Sequence, residues 1–415
     1  MMKVANILRR FTFEEWGGTE TVVWNTSRCL INKNCIADIL CTKALAVTEE
    51  ERLHGLTIKR FPYFYPYFPM NSSRKLQLDK KGGNPYCLKM LEFLRDSDYD
   101  ILHCHTMERL ADCVKLAAEI RKVPYVISFH GGCLDVPQSE LEEMLKPLNR
   151  TLNYGKIFDW LLGYNRKFIE KANGIICVGY NEYELVKQKY PDKIVEYIPN
   201  GVDYEYFAKA PSFDFRYHHS IPGDAEVILC VSRIDYQKNQ KLLLEFMNEI
   251  KNGDGKEHLV MIGPVTAMHY YKEMQRMIEC FGLRDRVTIV EGLKPDSEDL
   301  LAAYKTADVF MLPSLHEPFG IVILEAWASG VPVIASQVSG LERLISNREN
   351  GLLFNPDRFE DVVNAYRELK SNSTLRKKLT DNALKEVKKY YTWERITDKL
   401  LNFYQKVMDD FKSKK

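Results

Sequence analysis

The feature that most constrains this chain is a rhythm that runs through it twice. Short apolar runs alternate with longer amphipathic stretches. The first series gives predicted strands at 4–8, 36–41, 101–104, 125–129, 174–178 and 195–198, with helical periodicity at 21–32 and 110–121. The second gives strands at 227–231, 258–262, 287–290, 309–312, 331–335 and 351–354, and helices at 241–250, 270–281, 297–306, 320–329 and 359–371. Apolar runs of this kind, separated by helices, belong to parallel strands covered on both faces. The expected fold class is α/β, with two Rossmann-like domains in series. A length of 415 residues exceeds what one core usually serves. Pro211, Ser212, Pro222 and Gly223 accompany weak periodicity and set the break within 200–225. The expected domains are 1–205 and 206–392. A helical pattern at 393–415 follows, with no strand after it, and is expected to pack across the domain boundary.

Charge and cysteine usage narrow the function. Lys and Arg total 58 against 57 Asp and Glu, a net charge of +1 that excludes a general nucleic-acid binder. The 10 cysteines form no C-x-x-C pair and sit mostly in apolar runs, so reduced thiols are expected rather than disulfides or a zinc site. The opening MMKVANILRR is too short and interrupted for a signal peptide, and no apolar run spans a bilayer. The expected location is the cytoplasm. One segment stands apart. Residues 61–67 read FPYFYPY, and Arg74, Lys75, Lys80 and Lys81 follow. It reads either as a packed surface loop or as an acceptor loop within 61–90 that touches the inner face of the membrane peripherally.

Chemistry concentrates in two places. The strand at 309–312 runs into Pro313-Ser314-Leu315-His316-Glu317-Pro318-Phe319-Gly320 and then a helix. Pro318 suits a first helical turn, and Gly330 followed by Val331-Pro332 ends the helix. A helix start at the carboxyl end of a strand offers backbone N–H groups to a phosphate or a sugar hydroxyl. Glu317 is expected at the helix mouth and Glu325 two turns along, where carboxylates can hold vicinal hydroxyls. The bland alternative is a dipole-favoured Glu and a partly buried helix Glu. The second place is Ser232-Arg233-Ile234-Asp235-Tyr236-Gln237-Lys238-Asn239, directly after the strand at 227–231. Arg233 and Lys238 there suit a diphosphate.

Ser232-Arg233 with Lys238-Asn239, the Glu317-x7-Glu325 run with Pro318-Phe319-Gly320 inside it, Gly17-Gly18-x-Glu20 and Pro199-Asn200-Gly201-Val202-Asp203 occur in one chain order. In that arrangement the chain resembles a retaining glycosyltransferase of family 4, with two Rossmann-like domains facing across a cleft (the GT-B fold). The resemblance covers essentially the whole chain and implies roles. Arg233 and Lys238 would bind the donor diphosphate, Glu325 the ribose and Glu317 the donor sugar. Phe319, Gly320 and Ile321 would present backbone N–H groups. Gly292 and Leu293, in the turn Glu291-Gly292-Leu293, would meet the base. Gly17 and Gly18 would face the diphosphate from the N-terminal domain. His130, in Ser128-Phe129-His130-Gly131-Gly132, would reach the donor sugar.

Other candidates are weaker. His103 and His105 share a strand face, but no third metal ligand has suitable spacing, so they are expected to be structural or to line the cleft. Glu20 and His105 are acceptor-side candidates. No Asp-x-Asp lies between apolar strand residues, since Asp96-Ser97-Asp98 reads as a polar turn. Arg233, Lys238 and a helix N-terminus can carry the leaving-group charge, so no metal and no cofactor are expected. The resemblance implies retention, with the leaving phosphate accepting the acceptor's proton. The expected substrates are a nucleotide-sugar donor and a glycan or lipid-linked acceptor of the cell envelope. One rival is a nucleotide-dependent oxidoreductase, which expects a G-x-G-x-x-G absent after the first strand. The other is a non-catalytic nucleotide-sugar-binding subunit, whose donor motifs would be broken.

Overall fold

The computed structural model describes all residues except 14–15, 81, 132–147, 149–150, 252, 254–255, 295–296, 339 and 415. Lys81 and Gly132, named above, therefore lie outside the described residues. The chain divides into two compact units. The first comprises Met1–Pro199 with Ile396–Lys415, and the second Asn200–Arg395.

The strands of unit one are β1 (Lys3–Leu8), β2 (Ile36–Thr42), β3 (Glu50–Leu53), β4 (Leu56–Phe61), β5 (Tyr67–Phe68), β6 (Ile101–Cys104), β7 (Tyr125–Phe129), β8 (Leu152–Asn153), β9 (Gly174–Cys177) and β10 (Ile194–Tyr197). Among the described residues, eight form one sheet in the order β10-β9-β7-β6-β1-β2-β4-β3. All pairs are parallel except β3 with β4. Each residue of β6, β7 and β9 is buried, because helices cover both faces. The strand order reverses between β1 and β6.

Unit two carries β11 (Glu226–Val231), β12 (Glu257–Ile262), β13 (Val287–Val290), β14 (Val309–Leu312), β15 (Val333–Ser336) and β16 (Leu352–Phe354). They form a parallel sheet in the order β13-β12-β11-β14-β15-β16. Two apolar layers sandwich it. One is built around Trp327, Tyr304 and Phe310, the other around Phe246, Met247 and Tyr366. The order reverses between β11 and β14. Open α/β sheets bind ligands beyond the carboxyl ends of the strands at such a reversal.

The expected α/β rhythm is present, with two differences. The antiparallel β3–β4 hairpin falls where no strand was expected. His54 and Gly55 make its two-residue turn with φ +51° and +80°, the left-handed conformation such turns require. Its charged edge strand hides the usual alternation. Residues 61–67 follow the packed-loop reading. Tyr65 and Tyr67 are buried, and both Tyr63 and Tyr65 donate hydroxyl hydrogen bonds to Asp79. The second difference lies in the site.

Candidate functional site

The loop after β11 is folded by its own side chains. Asp235 accepts from the Lys238 backbone N–H at 3.2 Å and from the Thr266 hydroxyl at 3.0 Å. This caps the short turn Tyr236–Lys238. Gln240 is buried at the start of the next helix, Gln240–Ile250. Its amide donates to the Arg233 carbonyl at 2.7 Å and to the Ser232 hydroxyl at 2.9 Å. Arg233 donates to the Gln237 side chain at 2.9 Å and lies 3.4 Å from Asp235. A neighbouring strand end closes down on the loop. A Cβ on Gly263, at φ +157°, would lie 1.9 Å from the Ser232 carbonyl oxygen. Only glycine fits that crossing.

The loop after β14 is stitched to the first. Leu315 N–H donates to the Gln237 carbonyl at 2.8 Å. Lys238 Nζ then meets Glu317 Oε2 at 2.6 Å, with both side chains largely buried. Two residues expected to act separately are thus an ion pair, and the Lys238 charge is matched by protein. Behind them, a Cβ on Gly340 would lie 2.1 Å from the Glu317 carbonyl oxygen.

The helix itself runs Ile321–Ala328, with Gly320 as its N-cap at φ +90° and no side chain capping it. Pro318 and Phe319 therefore lie before the helix rather than in its first turn. The cause is Gly320, whose left-handed conformation α-helical backbone cannot include. Glu325 is the fifth helical residue, so it sits just over one turn into the helix rather than two. The far end matches expectation. Gly330 is left-handed, and Val331 N–H closes on the Ala326 carbonyl at 2.9 Å. Phe319 is buried in the core that Ile321 borders.

Glu325 has one partner that the sequence hides. The hydroxyl of the fully buried Tyr304 donates to Oε2 at 2.7 Å. Burial pushes the Glu325 carboxyl up to about 7, and the tyrosine bond opposes that only in part. After β13, Gly292 turns at φ +81° and its N–H closes on the Val290 carbonyl at 2.9 Å. Leu293 packs on the core, and Tyr271 bonds Glu291 at 2.9 Å. Arg233, Lys238, Gly292, Glu317 and Gly320 all lie beyond the carboxyl ends of the unit-two sheet, in the segments that follow β11, β13 and β14.

Unit one has its own polar cluster beyond β1, β6 and β7. Gly17 caps the helix Gly18–Asn32 in extended backbone. Glu20 is buried in the first turn of that helix, folded back so that a Gly17 Cβ would lie 2.9 Å from its Oε2. Arg10 approaches Glu20 to 3.8 Å, and burial raises the Glu20 carboxyl above its ordinary range. Glu20 thus supports the Gly17 turn from a buried position.

His130 is the more exposed end of a chain of bonds. The Asn6 amide N–H donates to Ser27 at 3.0 Å, so Asn6 Oδ1 accepts from His105 Nε2 at 3.2 Å. His105 Nδ1 therefore carries a lone pair and accepts from His130 Nε2 at 3.0 Å. That leaves His130 Nδ1 as an acceptor. Burial holds His105 well below the ordinary histidine value and His130 at about 4, so both rings are neutral. His103 lies against His105 with centroids 3.8 Å apart and ring planes tilted by 34°, and its nitrogens are taken by Tyr404 and Ser128. With their nitrogens engaged this way, His103 and His105 do not form a metal pair. Among the described residues no group of three or more potential ligands could hold an ion.

Sequence reasoning missed Asp235, Gln240, Gly263, Tyr304, Gly340 and Asn6. Two carried a signal. Asn6 is a lone amide in a buried apolar strand, and Gly263-Pro264 directly follows β12.

Residues 16–206 match the profile described as Glycosyltransferase Family 4, and residues 212–386 match Glycosyl transferases group 1. The chain belongs to the family 4 glycosyltransferases. A relative from Methanocaldococcus jannaschii, described as an uncharacterized glycosyltransferase, is 25% identical over 98% of this chain and 99% of its own. The GDP-mannose:cellobiosyl-diphosphopolyprenol alpha-mannosyltransferase of Xanthomonas campestris is 24% identical over 97% of this chain and 96% of its own. An Anabaena protein, solved in complex with UDP and glucose, superposes with a TM-score of 0.71 at 18% identity, covering 98% of this chain and 100% of that one. The two α/β units are those of the GT-B fold, as expected. This family 4 glycosyltransferase is a transferase enzyme, and the oxidoreductase alternative falls away.

Proposed function

We infer that the chain moves a hexose or N-acetylhexosamine from a UDP-sugar or GDP-mannose to a glycan or lipid-linked acceptor, with retention and without metal, in cell-envelope polysaccharide assembly. The observation that carries the donor assignment is the joining of the β11 and β14 loops by Lys238 and Glu317, with Arg233 beside them at the strand-order reversal. Arg233 and the uncapped start of Ile321–Ala328 would take the diphosphate. The backbone turn at Gly292 and Leu293 would meet the base. Glu325 would accept from the ribose hydroxyls, with Tyr304 holding one of its oxygens. Glu317 would grip the sugar while neutralising Lys238. In unit one, Gly17 and Gly18 would offer backbone to the diphosphate, and His130 Nδ1 would accept from a sugar hydroxyl.

The charge that develops in glycosyl transfer has two parts. The sugar becomes oxocarbenium-like and the departing diphosphate gains charge. Arg233 and Lys238 would stabilise the latter, which is the task of a divalent ion elsewhere. The leaving phosphate would accept the acceptor's proton. The Anabaena protein holds UDP and glucose and the Xanthomonas relative is named for GDP-mannose, which supports both bases as candidates. The same relative is named for a diphosphopolyprenol acceptor, which supports a lipid-linked one. The test is a donor panel with nucleotide release measured with and without EDTA. Release from one UDP-sugar or GDP-mannose that survives EDTA is expected. Loss in EDTA would sink the metal-free reading, and stabilisation by NADH instead of UDP or GDP would sink the donor reading.

A further inference from the structure

The helix Gly155–Leu161 turns two different faces. Inward, Phe158 packs on Phe64 and Tyr86 at centroid separations of 5.4 and 5.6 Å. Outward, Ile157, Trp160 and Leu161 follow i, i+3, i+4 spacing and are 62%, 80% and 64% exposed. Just before this helix, β8 pairs antiparallel with β5, and Phe68 stands opposite Leu152. Both are 69% exposed. Soluble chains seldom expose so many large apolar side chains in two adjoining segments.

The charges within these two segments are mainly basic, with Arg166 paired to Glu108 of the helix Glu108–Arg121. Residues 66–80 and 151–169 contain Arg74, Lys75, Lys80, Lys156, Arg166 and Lys167, but only two acids, Asp79 and Asp159. Both acids are turned inward. Asp79 accepts from Tyr63 and Tyr65, and Asp159 accepts from Arg109 at 3.1 Å. Lys75, Lys156 and Lys167 are exposed. The outward face is therefore apolar with a cationic rim.

We propose that this face, made of β5, β8 and the helix Gly155–Leu161, seats unit one on an anionic lipid bilayer. Ile157, Trp160 and Leu161 enter the headgroup boundary while the lysines meet lipid phosphates. A second copy is a poorer occupant, because like rims would be pressed together. No described helix is long and apolar enough to cross a membrane, so the contact is interfacial. The surface deepens the reading of a lipid-linked acceptor and rests on it for its purpose. It also moves the membrane contact away from the aromatics of 61–67, which are mainly packed inside.

The experiment is co-sedimentation of the full chain with vesicles of phosphatidylcholine plus phosphatidylglycerol, and with phosphatidylcholine alone. Nucleotide release with a water-soluble acceptor is followed in parallel. Binding to the mixed vesicles, weakened by salt, is expected. Trp160→Glu should lower it about tenfold or more with nucleotide release unchanged, and Lys156→Glu should lower it less. Equal sedimentation of the wild type and Trp160→Glu overturns the proposal, as does no binding to anionic vesicles. So does a wild-type dimer that Trp160→Glu converts to monomer without any vesicle binding. Vesicle binding without nucleotide release from any donor would leave the surface standing and remove the transferase reading.

Discussion

Lys238 Nζ lies 2.6 Å from Glu317 Oε2, and this bond ties together the loops that follow β11 and β14, neighbouring strands at the point where the sheet order reverses. The pair is largely buried, so each charge depends on the other. Lys238→Ala leaves a partly buried carboxylate alone, and Glu317→Ala leaves an ammonium. Each should cost about 1–3 kcal/mol in urea unfolding. The double variant should cost clearly less than the two together. Strict additivity would show that the two charges do not interact in solution.

Glu325 sets a pH dependence. Its carboxyl is raised to about 7 by burial, so ionisation is disfavoured in the folded chain. The ionised form, which accepts two hydrogen bonds from a diol, dominates above pH 7. Donor affinity should therefore fall as pH drops through 7, by about tenfold per unit at most for one proton. Calorimetric titration from pH 8 to 5 reads this. Glu325→Gln should bind more weakly at pH 8 and lose the slope. The stability effect has the opposite sign. The proton held by the folded state favours folding as pH falls from about 7 toward the unfolded carboxyl value.

Two glycines should be irreplaceable. A Cβ at Gly263 meets the Ser232 backbone at 1.9 Å, and one at Gly340 meets the Glu317 backbone at 2.1 Å. Backbone cannot yield as a side chain can, so Gly263→Ala and Gly340→Ala should each cost at least about 2 kcal/mol and weaken donor binding. Gly223→Ala is the control, since nothing lies within 4 Å of its added methyl group. Equal melting temperatures for all three variants would contradict the close approaches.

The bonds from Asn6 through His105 to His130 predict a separation of effects. Asn6→Asp keeps an oxygen for His105 Nε2–H and should retain most turnover. His105→Ala and Asn6→Leu release the His130 ring and should lower kcat about tenfold or more with little change in donor KM. A monodeoxy donor lacking the hydroxyl that His130 meets should abolish the difference between wild type and His105→Ala. A uniform loss across every deoxy donor would make the cluster merely structural.

Much of this was legible in the sequence. The repeated apolar runs give both sheets, and Arg233, Lys238, Glu317 and Glu325 stand beside a strand-order reversal. What was hidden is long-range or conformational. Nothing near Glu317 says that Lys238, 79 residues earlier, neutralises it. Nothing near Glu325 points to Tyr304. The helix start was misplaced because Pro318 is a good first-turn residue, whereas Gly320 decides the matter through a backbone angle. Helix periodicity likewise does not show that Glu20 is buried beside Arg10 and Gly17.

Unit two is one unbroken stretch, Asn200–Arg395, whereas unit one needs Ile396–Lys415 to be complete. There Phe403 and Val407 crowd Gly174, and Tyr404 bonds His103. During synthesis the ribosome therefore delivers every residue of the second unit before the first can close. The earlier-made half must wait, with His103 lacking its tyrosine, until the segment Ile396–Lys415 has been made.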